Sequence, residues 1–172
     1  MNSATNYTPR ELLGILRDRG FEHLHFTHPP VFTTADVTSL PEKIPGADTK
    51  NLFLRDEKRT KFALVCVRAE TRVNLKELGR ALEMKGLTFA SPEDLLALLG
   101  LIPGAVCLFG LLHDTENRVA GYLDQSIPDD SQMQNHPLVN TETVVLKASD
   151  MMRFCLEVAG HQLTRIEVPV RG

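Results

Sequence analysis

The chain has 172 residues, 42% of them hydrophobic and 24% charged, which suits one globular core and excludes intrinsic disorder as the default reading. The formal net charge of −3 argues against a general nucleic-acid binder, and no apolar run reaches the roughly 18 residues of a membrane span. The opening MNSATNYTPRELL lacks the basic and apolar regions of a signal peptide, and Cys66, Cys107 and Cys155 are scattered without a disulfide or zinc pattern, so cytoplasm is the expected compartment.

In chain order, Thr8-Pro9-Arg10-Glu11 reads as a capping box with proline at the first helical position, and Gly20 ends the helix it opens. Glu22 to Thr27 alternates and predicts a strand. His28-Pro29-Pro30-Val31-Phe32-Thr33 must be extended or turning, because residues before proline avoid the α region. A short helix is expected over Thr34 to Leu40, and Pro45-Gly46 is a turn. Lys50 to Arg55 and Lys61 to Arg68 read as two paired strands around a charged turn, the second an apolar run typical of a central strand. Asn74 caps a helix expected to run to about Lys85, and Ser91-Pro92-Glu93-Asp94 opens another that ends near Gly100. Further strands are expected at Ala105 to Phe109, Arg118 to Asp124, Thr143 to Leu146 and Leu163 to Val168. A last helix runs from Ser149 or Asp150 to Gly160. Ile127 to Asn135 is the most polar stretch and reads as a loop. The mixture lacks a regular βαβ alternation, which predicts a single α+β domain over residues 1–172 with a mixed, mostly antiparallel sheet.

Charge is unevenly spread. Residues 41–90 hold 11 Lys/Arg against 7 Asp/Glu, while the remainder holds 8 against 15. The basic middle is either a solvated face or a phosphate-binding patch.

No G-x-S-x-G, Walker loop, G-x-G-x-x-G or H-E-x-x-H is present. His23, His25 and His28 lack an acidic or cysteine partner at ligand spacing and read as surface strand histidines, so no metal site is expected. Cys66 lies inside an apolar run and reads as inert core. Lys50 stands at the start of its strand, on the face of Leu52 and Leu54, with Asn51, Phe53 and Arg55 on the other. It either snorkels to water or is itself a cation held at the rim of a pocket, suited to a phosphate or a developing negative charge. His136, extended by Pro137, and the Pro103-Gly104 turn, which can expose backbone N–H groups, are the other candidates. Together they suit hydrolysis of an activated ester by positioning rather than by a nucleophile–base pair.

HPPVFT at 28–33, GADTKNLFLRD at 46–56, LTFASPEDLLALLGLIPGAV at 87–106 and HPLVNT at 136–141 follow one another in this order. Through them nearly the whole chain resembles the YbaK/prolyl-tRNA-synthetase-associated editing family, closest to its free-standing alanine-specific type (PrdX or ProXp-ala). The resemblance implies a curved mixed sheet surrounded by helices. It also implies deacylation in trans of tRNA for proline mischarged with alanine. The partner would be tRNA, with possible transient association with the synthetase, and no cofactor is implied. Matched to the family's motifs, Lys50 would anchor or polarise near the 3′-terminal nucleotide, with Asn51 beside it. His136 would line the pocket, Phe32 and Thr33 would form the wall at the small side chain, and Gly100, Pro103 and Gly104 would bring backbone to the ester. Arg80 and Lys85 would meet the acceptor stem. Leu108 and His113 depart from the family's pattern and leave the amino-acid specificity open. The alternatives are a non-catalytic aminoacyl-tRNA-binding module or a deacylase for another small amino acid such as cysteine or serine.

Overall fold

The structure, a computed structural model, describes residues 6–30 and 43–172. The helix expected over Thr34 to Leu40 lies outside the described residues, as do Phe32 and Thr33.

Helix α1 (Pro9–Asp18) begins as its capping box requires. Thr8 Oγ1 accepts from the Glu11 amide at 3.1 Å, and Glu11 Oε1 accepts from the Thr8 amide at 3.2 Å. Its Leu12 and Leu16 are fully buried. Strand β1 (Leu24–Thr27) follows, then β2 (Thr49–Arg55) and β3 (Phe62–Arg68). The turn between β2 and β3 is held by Asp56, whose carboxylate accepts from the Thr60 hydroxyl at 2.7 Å and from the Thr60 and Lys61 amides at 2.8 and 3.1 Å. The Thr60 hydroxyl is the chief reason that this carboxyl sits below its ordinary value.

Helix α2 (Leu75–Ala81), capped by Asn74, is shorter than its sequence suggested. It ends at Leu82 because Glu83 turns to φ 55 and breaks the helical path before Lys85. Strand β4 (Thr88–Phe89) and helix α3 (Pro92–Leu99) come next. The stretch expected as a strand at Ala105 to Phe109 is instead irregular to Cys107 and then a 3-10 helix, Leu108–His113. Its five residues Leu108 to Leu112 are all buried, so a run that is apolar on every side had no alternation to separate strand from helix.

Strands β5 (Val119–Asp124), β6 (Gln132–Asn135) and β7 (Glu142–Lys147) precede helix α4 (Ala148–Glu157) and the last strand, β8 (Thr164–Ile166). Strand β6 corrects the reading of 127–135 as a loop throughout. Only its first part is a loop, held by Arg68 to the Ser126 carbonyl at 2.6 Å and by Arg165 to the carbonyls of Asp124 and Ile127. The polar QMQN is a strand because both of its edges are paired, not because it is apolar.

Two sheets result. One has the order β1-β7-β6 and is antiparallel. The other has the order β4-β2-β3-β5-β8, antiparallel through β3 and parallel from β3 to β8. They are joined where Ala47 bridges Met133. The fold is thus mixed α+β with mostly antiparallel pairing. The alternation of β2 divides the core. Phe53, with Phe62, Leu64 and Cys66 of β3, packs toward α1, α3, the 3-10 helix, α4 and the smaller sheet. Leu54, with Ala63, Val65 and Val67, packs toward Leu78 of α2 and Val168, with Leu52 beside them.

Candidate functional site

The start of β2 meets three other segments. Thr49 Oγ1 donates to the Gln134 carbonyl at 2.7 Å. Asn51 Nδ2 donates to the Val106 carbonyl at 3.4 Å, tying β2 to the segment that follows Pro103-Gly104. The Leu138 amide reaches the Cys107 thiol, so His136-Pro137-Leu138 comes to the same place. Leu138 holds φ 71, a conformation uncommon for a residue with a Cβ and a mark of a constrained loop. Asn51, the Val106–Cys107 segment and the histidine loop are therefore brought together.

His136 is half-buried, and its Nδ1 lies 3.2 Å from the Glu142 carbonyl. A carbonyl only accepts, so Nδ1 carries the proton, and in the neutral ring Nε2 keeps a lone pair. Burial pushes the imidazole below its ordinary value, the Glu142 carbonyl partly opposes this, and His28 reinforces it. His28 itself is fixed by Pro29 O and Thr143 Oγ1, each at 2.8 Å. Sequence reasoning treated His28 as a surface histidine and missed its bond to β7 at Thr143, near enough for its charge to bear on His136. The antiparallel register of β1 with β7, which continues to the His28 amide on the Thr141 carbonyl, is what brings it there.

Lys50 lies opposite Val67 in the β2–β3 register, half-buried, and makes no ion pair or hydrogen bond among the described residues. By alternation its Cβ projects on the face of Leu52 and Leu54, the face away from Asn51 and Val106. Its neighbour Asp48 has a carboxyl raised above the ordinary value, first by burial and then by Glu70.

Gly100 is the left-handed C-cap of α3, at φ 64. A Cβ there would lie 2.9 Å from His113 Nδ1 and 3.2 Å from Asn6 Oδ1. His113 Nδ1 donates to Leu99 O at 2.7 Å, and its Nε2 accepts from the Tyr7 amide at 2.9 Å. Gly100 and His113 therefore form a packing unit that fixes the end of α3. Gly104 holds φ 91 just beyond it. The amides of Gly104 and Val106 donate to no partner among the described residues.

Arg80 pairs with Glu77 at 2.7 Å on α2, and Lys85 pairs loosely with Glu57 at 3.9 Å. Neither touches the segments above. A groove of about 440 Å³ opens at the other end of β3, lined by Lys61, Arg118, Tyr122 and His161 among others. None of the candidate residues lines it, so its size alone does not make it the site. Burial pushes the thiols of Cys66 and Cys107 up to about 12 and about 11 and raises that of Cys155, which leaves all three unreactive.

The aminoacyl-tRNA editing domain family matches residues 28–154. The chain is 35% identical over 150 residues to prolyl-tRNA synthetase associated domain-containing protein 1 of Danio rerio, covering 86% of this chain and 81% of that one. It is 32% identical over 141 residues to the prolyl-tRNA editing protein ProX of Acetoanaerobium sticklandii, covering 82% and 85%. The crystal structure of a proposed trans-editing enzyme for prolyl tRNA synthetase superposes with a TM-score of 0.70 at 22% identity, covering 98% of this chain and 100% of that one. That likeness establishes the fold.

Proposed function

The chain belongs to the aminoacyl-tRNA editing domain family, and from that premise we propose that it hydrolyses the ester of tRNA for proline mischarged with alanine. The observation that carries this reading is the meeting of Asn51, the Val106–Cys107 segment and the His136 loop at the start of β2. It gathers polar side chains and backbone amides that donate to no partner among the described residues, without a reactive thiol.

The chemistry follows from those groups. Water attacks the ester carbonyl, oriented by backbone and by the ribose hydroxyl of the substrate. The amides of Gly104 and Val106, which donate to no partner among the described residues, would meet the developing oxyanion, where fixed donors stabilise the transition state. His136 in its neutral form would offer Nε2 as an acceptor to the substrate. Lys50 stands on the other side of the strand from Asn51, which favours a grip on the terminal nucleotide over contact with the ester. Phe32 and Thr33, which the family motif assigns to the wall against the amino-acid side chain, lie outside the described residues. Arg80 and Lys85 meet the acceptor stem and must release Glu77 and Glu57 to do so.

The selectivity is that of a second sieve. A synthetase site for proline rejects smaller alanine by only about 1–3 kcal/mol per missing methylene, so a pocket too small for proline removes the error. The test is deacylation of tRNA for proline charged with alanine, cysteine or serine. Alanine is expected to be released fastest. Faster release of cysteine or serine would reassign the substrate, and full activity of Lys50→Ala on alanyl-tRNA would remove the role given to Lys50.

A further inference from the structure

The lysine strand and the histidine loop meet at β6, where the Gln134 side chain adds to a backbone bridge in which the Ala47 amide donates to Gln132 O at 2.8 Å. Gln134 Nε2 donates to the Ile44 carbonyl at 3.0 Å and lies 3.2 Å from the Gly46 carbonyl. Both neighbours are carbonyl oxygens, so only the NH2 end of the amide fits there. The backbone of the same residue completes the clamp: its amide donates to Ala47 O at 2.9 Å, and its carbonyl accepts from Thr49 Oγ1 at 2.7 Å. Gly46 lets the two segments close. It sits at φ 90, and a Cβ on it would lie 3.1 Å from Gln132 O and 3.2 Å from Val145 Cγ1.

The sequence runs straight from this clamp into both halves of the site. Thr49 is followed by Lys50 and Asn51, and Gln134 by Asn135 and His136. A shift of the 44–49 segment along β6 would move Lys50 and Asn51 against His136. We propose that Gln134 is a positioning residue for the deacylation, setting Lys50 and Asn51 in register with His136 through its bonds to Ile44 and Gly46. This rests on the functional reading above.

The test combines three variants in single-turnover deacylation of alanyl-tRNA for proline. Gln134→Met keeps the length and removes the donors. It is expected to lower kcat/KM by roughly 10- to 100-fold, the scale of a misplacement of about 1 Å. In a Lys50→Ala background the same change is expected to cause a smaller fold-loss than in the native chain, because one of the two residues it positions is gone. Gln134→Glu sets a carboxylate against two carbonyls. Its activity relative to the native chain is expected to rise as pH falls and the carboxyl, once protonated, regains one donor. A purely packing role would give neither the non-additivity nor this pH recovery. Undiminished activity in a folded Gln134→Met, additive losses with Lys50→Ala, or a Gln134→Glu ratio independent of pH would each overturn the proposal. If Gln134→Met does not fold, the pH ratio decides. A native chain inactive on every mischarged tRNA overturns the functional reading and this role with it. A native chain that deacylates while the cycle is additive overturns the role of Gln134 alone.

Discussion

Asn51 and Val106 are 55 residues apart, yet the side-chain amide of Asn51 reaches the Val106 carbonyl at 3.4 Å. This contact joins the strand that carries Lys50 to the turn that carries Gly104. The other end of the amide, Asn51 Oδ1, is buried and accepts no hydrogen bond among the described residues. A buried carbonyl oxygen without a donor is unfavourable by about 1–3 kcal/mol, which water or a substrate N–H or O–H would relieve.

Asn51→Ala tests that contact. Deacylation of alanyl-tRNA is expected to lose roughly 10- to 100-fold in kcat/KM as the Val106 segment loses its tether. The melting temperature is expected to move by only about 2–4 °C, since one neutral hydrogen bond is worth about 1 kcal/mol. Unchanged kinetics would show that the tether is not needed for the reaction.

If Lys50 grips the nucleotide, Lys50→Ala should act on binding. Its KM is expected to rise more than its kcat falls. The slope of log affinity against log salt should shrink by about 0.7, the contribution of one contact to a single-stranded phosphate. Lys50→Arg should keep most of that slope. A loss confined to kcat, with the salt slope intact, would point to contact with the ester instead.

His136 makes a pH prediction with a definite sign. Burial disfavours the imidazolium, so the neutral ring persists below the ordinary value of 6.5. If the neutral ring is the active form, kcat/KM holds as pH falls through 6.5 and declines only below it. His136→Ala should lower the rate and abolish that decline. An acid limb centred at or above 6.5, or one retained in the variant, would contradict the assignment.

Gly100→Ala should act through packing. Its left-handed φ of 64 and the 2.9 Å approach of His113 Nδ1 to the new Cβ predict a destabilisation of about 1–3 kcal/mol. Thermal melting measures it. Cutting Gly100 from the substrate contacts would follow if the folded variant, assayed well below its melting temperature, kept native kcat and KM.

What the sequence made legible follows from where its signals were local. The Thr8 box, the Ser91 cap and the β2–β3 pair were readable because capping and alternation are short-range. So was the division of β2 into a Lys50–Leu52–Leu54 face and an Asn51–Phe53 face. Strand β6 was not, because its polar QMQN is held by partners at 44–49 and on β7 that no local pattern reveals. The same distance hid Gln134 and His28, whose contacts span about 90 and 115 residues. Leu108 to His113 failed for the opposite reason, since burial on all sides erased its period. The family motifs drew attention to Lys50, Asn51 and His136, and they marked Gly100 without revealing its packing against His113.

The proposed activity is release of alanine from tRNA for proline with the correct product spared. It is tested most directly by giving the purified protein alanyl-tRNA and prolyl-tRNA, both on tRNA for proline, and following release of each amino acid. The account predicts release of alanine with prolyl-tRNA left intact. Binding of both without release of either, or equal hydrolysis of the two, would contradict it.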